Sequence, residues 1–374
     1  MVDKNRIIDH FDRIAEERPH WFRRNRVYSQ QVIDACRPFL NPGSRVLELG
    51  CSTGDLLAAL EPSVGVGIDI SPASIAVASK QYPHLQWICA DAECLPDTAP
   101  FDLPFDLIIM SDLVAYLSDL QTVLVNLQRL CHPGTRIIIS HWNWLWQPIL
   151  RFGELLDLKS PDLDVRSIWV SPTSLKMFLR LADYEVLQIQ HGLLLPYDLP
   201  PLSSLINSLS YAPLLNRFTL LHTVVACFRP DTTPVEERSV TVVIPTRNEV
   251  GNIEAAVRRT PDMGTHTELL FIDGSSTDGT IEAIHEQMAA HPDRDIKYMP
   301  QVPVSSPDKE EPPNLMLRLG KGDAVRKAFD AASGDIVMIL DSDLTVPPEE
   351  LPRFYDALVH GKGRFVNGTR LVYP

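Results

Sequence analysis

Apolar residues in the first forty positions recur at helical intervals. Ile7, Ile8, Phe11 and Ile14, then Val27, Val32 and Ile33, alternate with charged side chains, and this spacing predicts one or two helices over residues 1–40. From Arg45 the pattern changes to short apolar runs between helical stretches. Strands are predicted at Val46–Leu49, Val64–Ile70, Gln86–Ala90, Leu107–Ser111 and Arg136–Ser140, with helices at Asp55–Leu60 and Pro72–Gln81. A helix around Ser174–Ala182 and strands at Tyr184–Gln190 and Thr223–Phe228 follow. Short apolar runs alternating with helices belong to a parallel sheet covered on both faces. The apolar block Leu193–Leu221 is too broken by proline for a simple helix. It could dock on a membrane surface, but with Arg217 as its one basic residue it is expected to pack beside the sheet.

Arg229–Arg238 is polar, charged and proline-bearing, as a linker is. A second alternation then begins: strand Val240–Ile244, helix Val250–Arg259, strand Glu268–Asp273, helix Thr280–Ala290, helix Ala324–Ala332 and strand Ile336–Leu340. Between them Pro300–Pro313 holds five prolines and the charged run Asp308–Glu311, the pattern of a mobile loop. The predicted fold class is α/β with two doubly wound domains: helices over 1–40, a first domain over 41–229, a linker over 230–238 and a second domain over 239–374. The two halves carry different glycine signatures, so neither repeats the other.

A chain of 374 residues with 45% apolar and 22% charged residues is ample for two soluble cores. The net charge of −14 argues against nucleic-acid binding, which needs a basic face. No apolar run reaches the ~18 residues of a spanning helix, and Met1–Asn5 lacks the apolar core of a signal peptide. The six cysteines are scattered without a C-x-x-C pair and read as reduced thiols. These features predict a cytoplasmic protein, with peripheral contact at the inner face of a membrane left open.

Candidate chemistry gathers at the carboxyl ends of the predicted strands. The first strand runs into Gly50-Cys51-Ser52-Thr53-Gly54, where glycine lets the backbone turn sharply and approach a ligand. The second ends at Asp69, placed to accept both hydroxyls of a ribose, and the third at Asp91, placed near an adenine edge. The fourth leads to Asp112 and Leu113. Four such signals in order resemble the class I S-adenosylmethionine-dependent methyltransferases over about residues 40–230. The matching pieces are Glu48–Gly54, Gly67-Ile68-Asp69-Ile70-Ser71, Asp91-Ala92-Glu93 and Pro133-Gly134. The resemblance implies that Glu48 and the turn with Gly50, Cys51, Ser52 and Gly54 lie near the methionine part of the cofactor. It implies that Asp69 with Ile70 holds the ribose, and Asp91 with Ala92 the adenine. Ser52 stands where the family often has glycine, which a serine of negative φ tolerates. His141 is a candidate base or a packing residue, and Tyr116 and Trp144 are candidate walls of an acceptor pocket or core aromatics.

In the second half, Val240–Glu249 is a buried strand ending in a polar turn, Leu269–Thr280 repeats that plan, and Gly320–Ala324 opens a helix. The strand Ile336–Leu340 then ends in Asp341-Ser342-Asp343, two acids suited to a hard divalent cation and a diphosphate. Residues from about 238 to 374 resemble glycosyltransferase family 2, with a GT-A fold in the style of dolichol-phosphate-mannose synthases. The resemblance implies nucleoside contacts at Pro245, Glu249 and Asp273, a base or diphosphate contact at Lys321, and Mg²⁺ or Mn²⁺ with a diphosphate at Asp341 and Asp343. Gly274, where many members have a second aspartate, leaves the base open between uridine and guanosine. The likeness stops at Asn367–Pro374, before the acceptor side and base of that family, so it implies the donor-binding half alone. Three readings stand: methyl transfer tied to glycan or lipid-linked sugar synthesis, a methyltransferase with a non-catalytic sugar-nucleotide module, and a non-catalytic scaffold that binds the cofactor. The expected partners are a nucleotide sugar and a methyl acceptor not named by the sequence.

Overall fold

The computed structural model describes residues 3–96, 103–155, 170–230 (apart from 198, 200 and 213), 236–301 and 320–368. Its contacts divide the chain into two compact units, one within Met1–Asp231 and one within Thr232–Thr369.

Three helices open the first unit, α1 (Lys4–Ile14), α2 (Arg18–Arg24) and α3 (Arg26–Cys36), one more than the apolar spacing suggests. Two local features separate them. Pro19 lacks a backbone N–H and is tolerated in the first turn of α2, and Asn25 leaves helical geometry at φ −93°, ψ 36°. The sheet and its helices follow: β1 (Arg45–Leu49), α4 (Asp55–Ala59), β2 (Val64–Asp69), α5 (Pro72–Gln81), β3 (Gln86–Cys89) and β4 (Phe105–Ser111). Then come α6 (Leu120–Leu127), β5 (Cys131–Trp142), α7 (Gln147–Leu155), α8 (Pro172–Leu181), β6 (Tyr184–Gly192), α9 (Leu202–Ser208) and β7 (Leu221–Phe228).

The seven strands lie in the order β3-β2-β1-β4-β5-β7-β6. The sheet is not wholly parallel as the pattern predicts, because β7 runs antiparallel to both β5 and β6. Antiparallel neighbours need no crossover. The chain leaving β6 at Gly192 therefore re-enters β7 at Leu221 on the same sheet edge, and the segment between stays there. One face of the sheet packs Leu49, Ile68, Met110 and Ile139 against α6 and α8; the other packs Val46, Leu107, Ile109 and Ile138 against α3 and Leu57 of α4. Buried positions on both faces explain why these strands read as unbroken apolar runs.

The second unit holds β8 (Val240–Thr246), α10 (Ile253–Arg259), β9 (Thr267–Asp273), α11 (Thr280–Ala290), β10 (Asp295–Pro300), α12 (Lys321–Ala331), β11 (Ile336–Ile339) and α13 (Leu351–Val359). Its four strands are parallel in the order β10-β9-β8-β11. Strand β10 escapes the apolar pattern because it is an edge strand: Asp295 and Lys297 alternate with Ile296, and Lys297 pairs with the buried Glu268 of β9. All but the first two residues of the predicted loop Pro300–Pro313, and residues 231–235 of the predicted linker, lie outside the described residues.

Candidate functional site

The turn after β1 is built on left-handed backbone. Gly50 has φ +70° and Gly54 φ +78°, conformations that side chains rarely adopt. A Cβ on Gly54 would stand 2.2 Å from the indole of Trp87, so glycine is required there for close packing as well as for the turn. The amides of Gly50 and Cys51 donate to the Ile68 carbonyl at 2.8 and 3.0 Å, which pins the turn to the end of β2.

Ser52 differs from expectation. Its φ is +50°, not negative. The left-handed region costs a non-glycine residue about 1–2 kcal/mol, and the cost is offset locally. The Ser52 amide donates to Asp69 Oδ2 at 2.8 Å, and Arg18 Nε donates to Ser52 Oγ at 3.1 Å. Asp69 Oδ1 accepts from the Ser71 amide at 2.9 Å. Burial raises the Asp69 pKa above the usual carboxylate value, while these two amides and the Arg18 guanidinium pull it back.

Asp69 and this turn line one side of a cavity of about 340 Å³. Of the cofactor residues named from sequence, Glu48, Gly50, Cys51, Ser52, Asp69, Ile70, Asp91 and Ala92 all line it. Gly54 does not; it packs against Trp87 behind the turn. Glu48 is buried, its Oε2 has no hydrogen-bond partner, and burial together with Asp69 and Asp55 drives its pKa well above the ordinary range. Buried orphaned oxygens are rare, and one facing a cavity is a place for a ligand donor.

The first forty residues are part of this site rather than a leader into the sheet. Lys4, Phe11, Arg18 and Tyr28 all line the cavity, and their helices are fastened to the loop after each of β1–β4. Arg18 holds Ser52. Asp12 Oδ1 accepts from Ser71 Oγ at 2.6 Å and from the Ala73 amide at 3.1 Å. Lys4 Nζ lies 3.3 Å from Asp91 Oδ1 and also pairs with Glu93. Tyr28 Oη donates to Asp112 at 2.8 Å. Sequence reading missed these partners because each is a single polar residue on a helix, with no motif around it.

On the acceptor side, Tyr116 lines the cavity and Trp144 does not, being 60% exposed. His141 is also absent from the cavity wall. It lies across the strands beside His222, which lies beside His191, with ring centroids 5.4 and 4.9 Å apart. Burial lowers His141 to about 4 and His222 to about 3, and none of the four ring nitrogens of these two residues has a hydrogen-bond partner. Both imidazoles are held neutral, and neither lines the cavity. The Leu193–Leu221 block divides: Leu193, Leu220 and Leu221 enter the core, whereas Leu199, Leu205, Leu214 and Phe218 are exposed, contrary to the expectation that it packs away.

In the second unit the named residues follow the carboxyl ends of β8, β9 and β11. Pro245 is the penultimate residue of β8, and Glu249 accepts from Asn252 Nδ2 at 2.7 Å. Asp273 is buried and is held by its own loop, with the Ser276 amide donating to Oδ2 at 2.9 Å. Asp341 and Asp343 are both exposed around the buried Ser342, and Lys321 at the start of α12 pairs with Asp341. Among the described residues no three His, Cys, Asp or Glu side chains converge as a metal-ligand set.

Residues 20–189 match the family described as a methyltransferase domain, and residues 317–374 match glycosyl transferase family 2. The chain joins a methyltransferase domain to a family 2 glycosyltransferase region. The region's relatives include a dolichol-phosphate mannosyltransferase of Pyrococcus furiosus, 30% identical over 139 residues, which are 35% of this chain and 35% of that one. An undecaprenyl-phosphate 4-deoxy-4-formamido-L-arabinose transferase of Aeromonas hydrophila is 30% identical over 126 residues, 33% of this chain and 34% of that one. The chain thus spans about a third of the length of these relatives. Among solved structures, a chain from the complex between the Haloferax volcanii Trm112 methyltransferase activator and a methyltransferase is 19% identical, with a TM-score of 0.46 over 61% of this chain and 99% of that one. A SAM-dependent methyltransferase of Thermotoga maritima is 18% identical, with a TM-score of 0.43 over 60% of this chain and 99% of that one.

Proposed function

We propose that the methyltransferase domain binds S-adenosylmethionine in the cavity between β1, β2 and the N-terminal helices, and methylates an acceptor that belongs to a glycan or lipid-linked sugar. The observation that supports this most is the Asp69 carboxylate. It is half-buried at the end of β2, fixed by the Ser52 and Ser71 amides, and faces a cavity able to hold a nucleoside. In this reading Asp69 accepts the ribose hydroxyls, Asp91 and Ala92 border the adenine, and Glu48 takes a donor from the methionine portion. When bound, the sulfonium supplies an already activated methyl group. The protein's own work is positioning and the exclusion of water. Helices α1–α3 perform the second task, closing over the carboxyl edge through Lys4, Asp12, Arg18 and Tyr28. Even without the buried Glu48, acids outnumber bases on the cavity wall, with Asp55, Asp69, Asp91 and Asp112 against Lys4 and Arg18, which suits a cationic ligand.

The glycosyltransferase region is read as a nucleotide-sugar site. Asp341 and Asp343 offer hard oxygen donors that fit Mg²⁺ or Mn²⁺, with the remaining ligands left to a diphosphate and water. Lys321, now on Asp341, is placed to exchange that carboxylate for a phosphate. The named relatives act on polyprenyl phosphates, and the pairing of the two regions in one chain supports a lipid-linked sugar as the context of methylation. A ligand screen against the whole chain tests both halves. S-adenosylmethionine should raise the melting temperature, and a sugar nucleotide should do so with Mn²⁺ in wild type but not in Asp343→Ala. An identical Mn²⁺ response in the variant would remove the metal role, and no response to any adenosyl compound would remove the methyltransferase site.

A further inference from the structure

Two helical segments of the methyltransferase domain turn apolar stripes toward solvent. Leu145, Ile149, Phe152 and Leu155 recur at helical intervals along α7 and the turn before it, and all four are exposed. Leu202, Leu205 and Leu209 do the same along α9 and the turn after it. The exposures are large: 84% for Leu155, 76% for Leu214 and 67% for Leu205. An exposed leucine is ordinary, but a helical repeat of them on two adjoining segments is a face.

The turn before α7 is bound to the chain between α9 and β7. Trp146 Nε1 donates to the Phe218 carbonyl at 2.8 Å, and Asn143 Nδ2 donates to the carbonyls of Arg217 and Thr219 at 2.8 and 3.0 Å. Leu150 of α7, with Pro196, Tyr197 and Leu220 on either side of the α9 segment, also forms part of the cavity wall. The apolar surface is therefore continuous with the rim of that cavity.

We infer that this surface seats the methyltransferase domain on a lipid bilayer. Three observations select that occupant. Side chains exposed over two thirds of their area stand out as knobs, and a bilayer accepts knobs of any shape whereas a protein partner must supply matching pits. The charged residues within Asn143–Leu155 and Leu199–Phe218 are Arg151, Glu154 and Arg217, a balance of +1 on a chain of −14, so little charge must be desolvated. Trp144, 60% exposed beside α7, has the amphipathic ring that settles at headgroup depth. The insertion is shallow, since no described helix is long and apolar enough to cross a membrane. The seating itself stands on these stripes; that it also brings the cavity rim to a membrane-borne acceptor rests on the function proposed above.

The full chain is sedimented with phosphatidylcholine vesicles at low salt and at about 0.5 M NaCl, where exposed charges are screened within a few ångström. Wild type should pellet with the vesicles equally at both. Phe152→Glu/Leu155→Glu and, separately, Leu205→Glu/Leu214→Glu should lower the bound fraction at least tenfold with the melting temperature unchanged. Wild type left in the supernatant overturns the inference. So does binding that requires anionic lipid and disappears in salt, or variants that bind as wild type does. A chain that dimerises without binding vesicles, and that the glutamates render monomeric, would reassign the face to a second copy. Adenosyl-cofactor binding is unaffected by any of these results, so its own failure is read separately.

Discussion

Asp69, Ser52 and Arg18 form the smallest unit on which the methyltransferase site depends. Ser52 sits in left-handed backbone and would be strained alone, yet its amide is the donor that fixes one oxygen of Asp69. Desolvation raises the pKa of this half-buried carboxylate. Its ionised form is the better acceptor for hydroxyls, so protonation weakens cofactor binding. Affinity should therefore hold at neutral pH and fall on acidification, through a range lying above the ordinary carboxylate value of 3.8. Titration of S-adenosylhomocysteine by calorimetry across that range checks it, and a pH-independent affinity would detach Asp69 from the ligand. At Gly54, alanine meets both positive φ and the Trp87 ring. Gly54→Ala should cost about 2–4 kcal/mol in urea unfolding. The acids at the strand ends were legible in the sequence because each follows an apolar run at a fixed place. Arg18, Lys4 and Tyr28 were not, since nothing local marks a helix residue that reaches a loop far along the chain.

At the scale of elements, the strands were legible and their direction was not. Runs such as Leu107–Ser111 announce a buried strand, but an apolar run carries no sign of orientation, so the reversed β7 became visible only through its pairing with β5 and β6. Edge strand β10 was silent for the opposite reason, being polar on one side. The row His141–His222–His191 crosses β5, β7 and β6, and its pairing is another consequence that only register reveals. With folded pKa values of about 4 and 3 against an ordinary value of 6.5, His141 and His222 stay neutral in the fold while the unfolded chain takes up protons. Unfolding is then favoured as pH falls from 6.5 toward 4, and stability rises with pH over the same window. A tenfold change in proton affinity is worth about 1.4 kcal/mol, so the two histidines together should cost on the order of 4 kcal/mol by pH 5. His222→Phe should flatten that slope in unfolding experiments at pH 5 and 7; an unaltered slope would place the titration elsewhere.

For the molecule as a whole, two α/β units in one chain were foreseeable from the restart of the strand–helix rhythm after Arg238. The exposed apolar face was not, because Leu199–Phe218 has the composition of a core segment and only the three-dimensional arrangement shows which leucines face outward. The central claim is that the cavity under the N-terminal helices holds an adenosyl cofactor by its ribose. Isothermal titration of S-adenosylmethionine into wild type and Asp69→Ala tests it most directly. One site per chain in wild type, weakened at least 100-fold in the variant, is the predicted result: two charge-assisted hydrogen bonds at about 1.5–3 kcal/mol each are lost. Equal affinity in both proteins, or no binding to wild type, would contradict it.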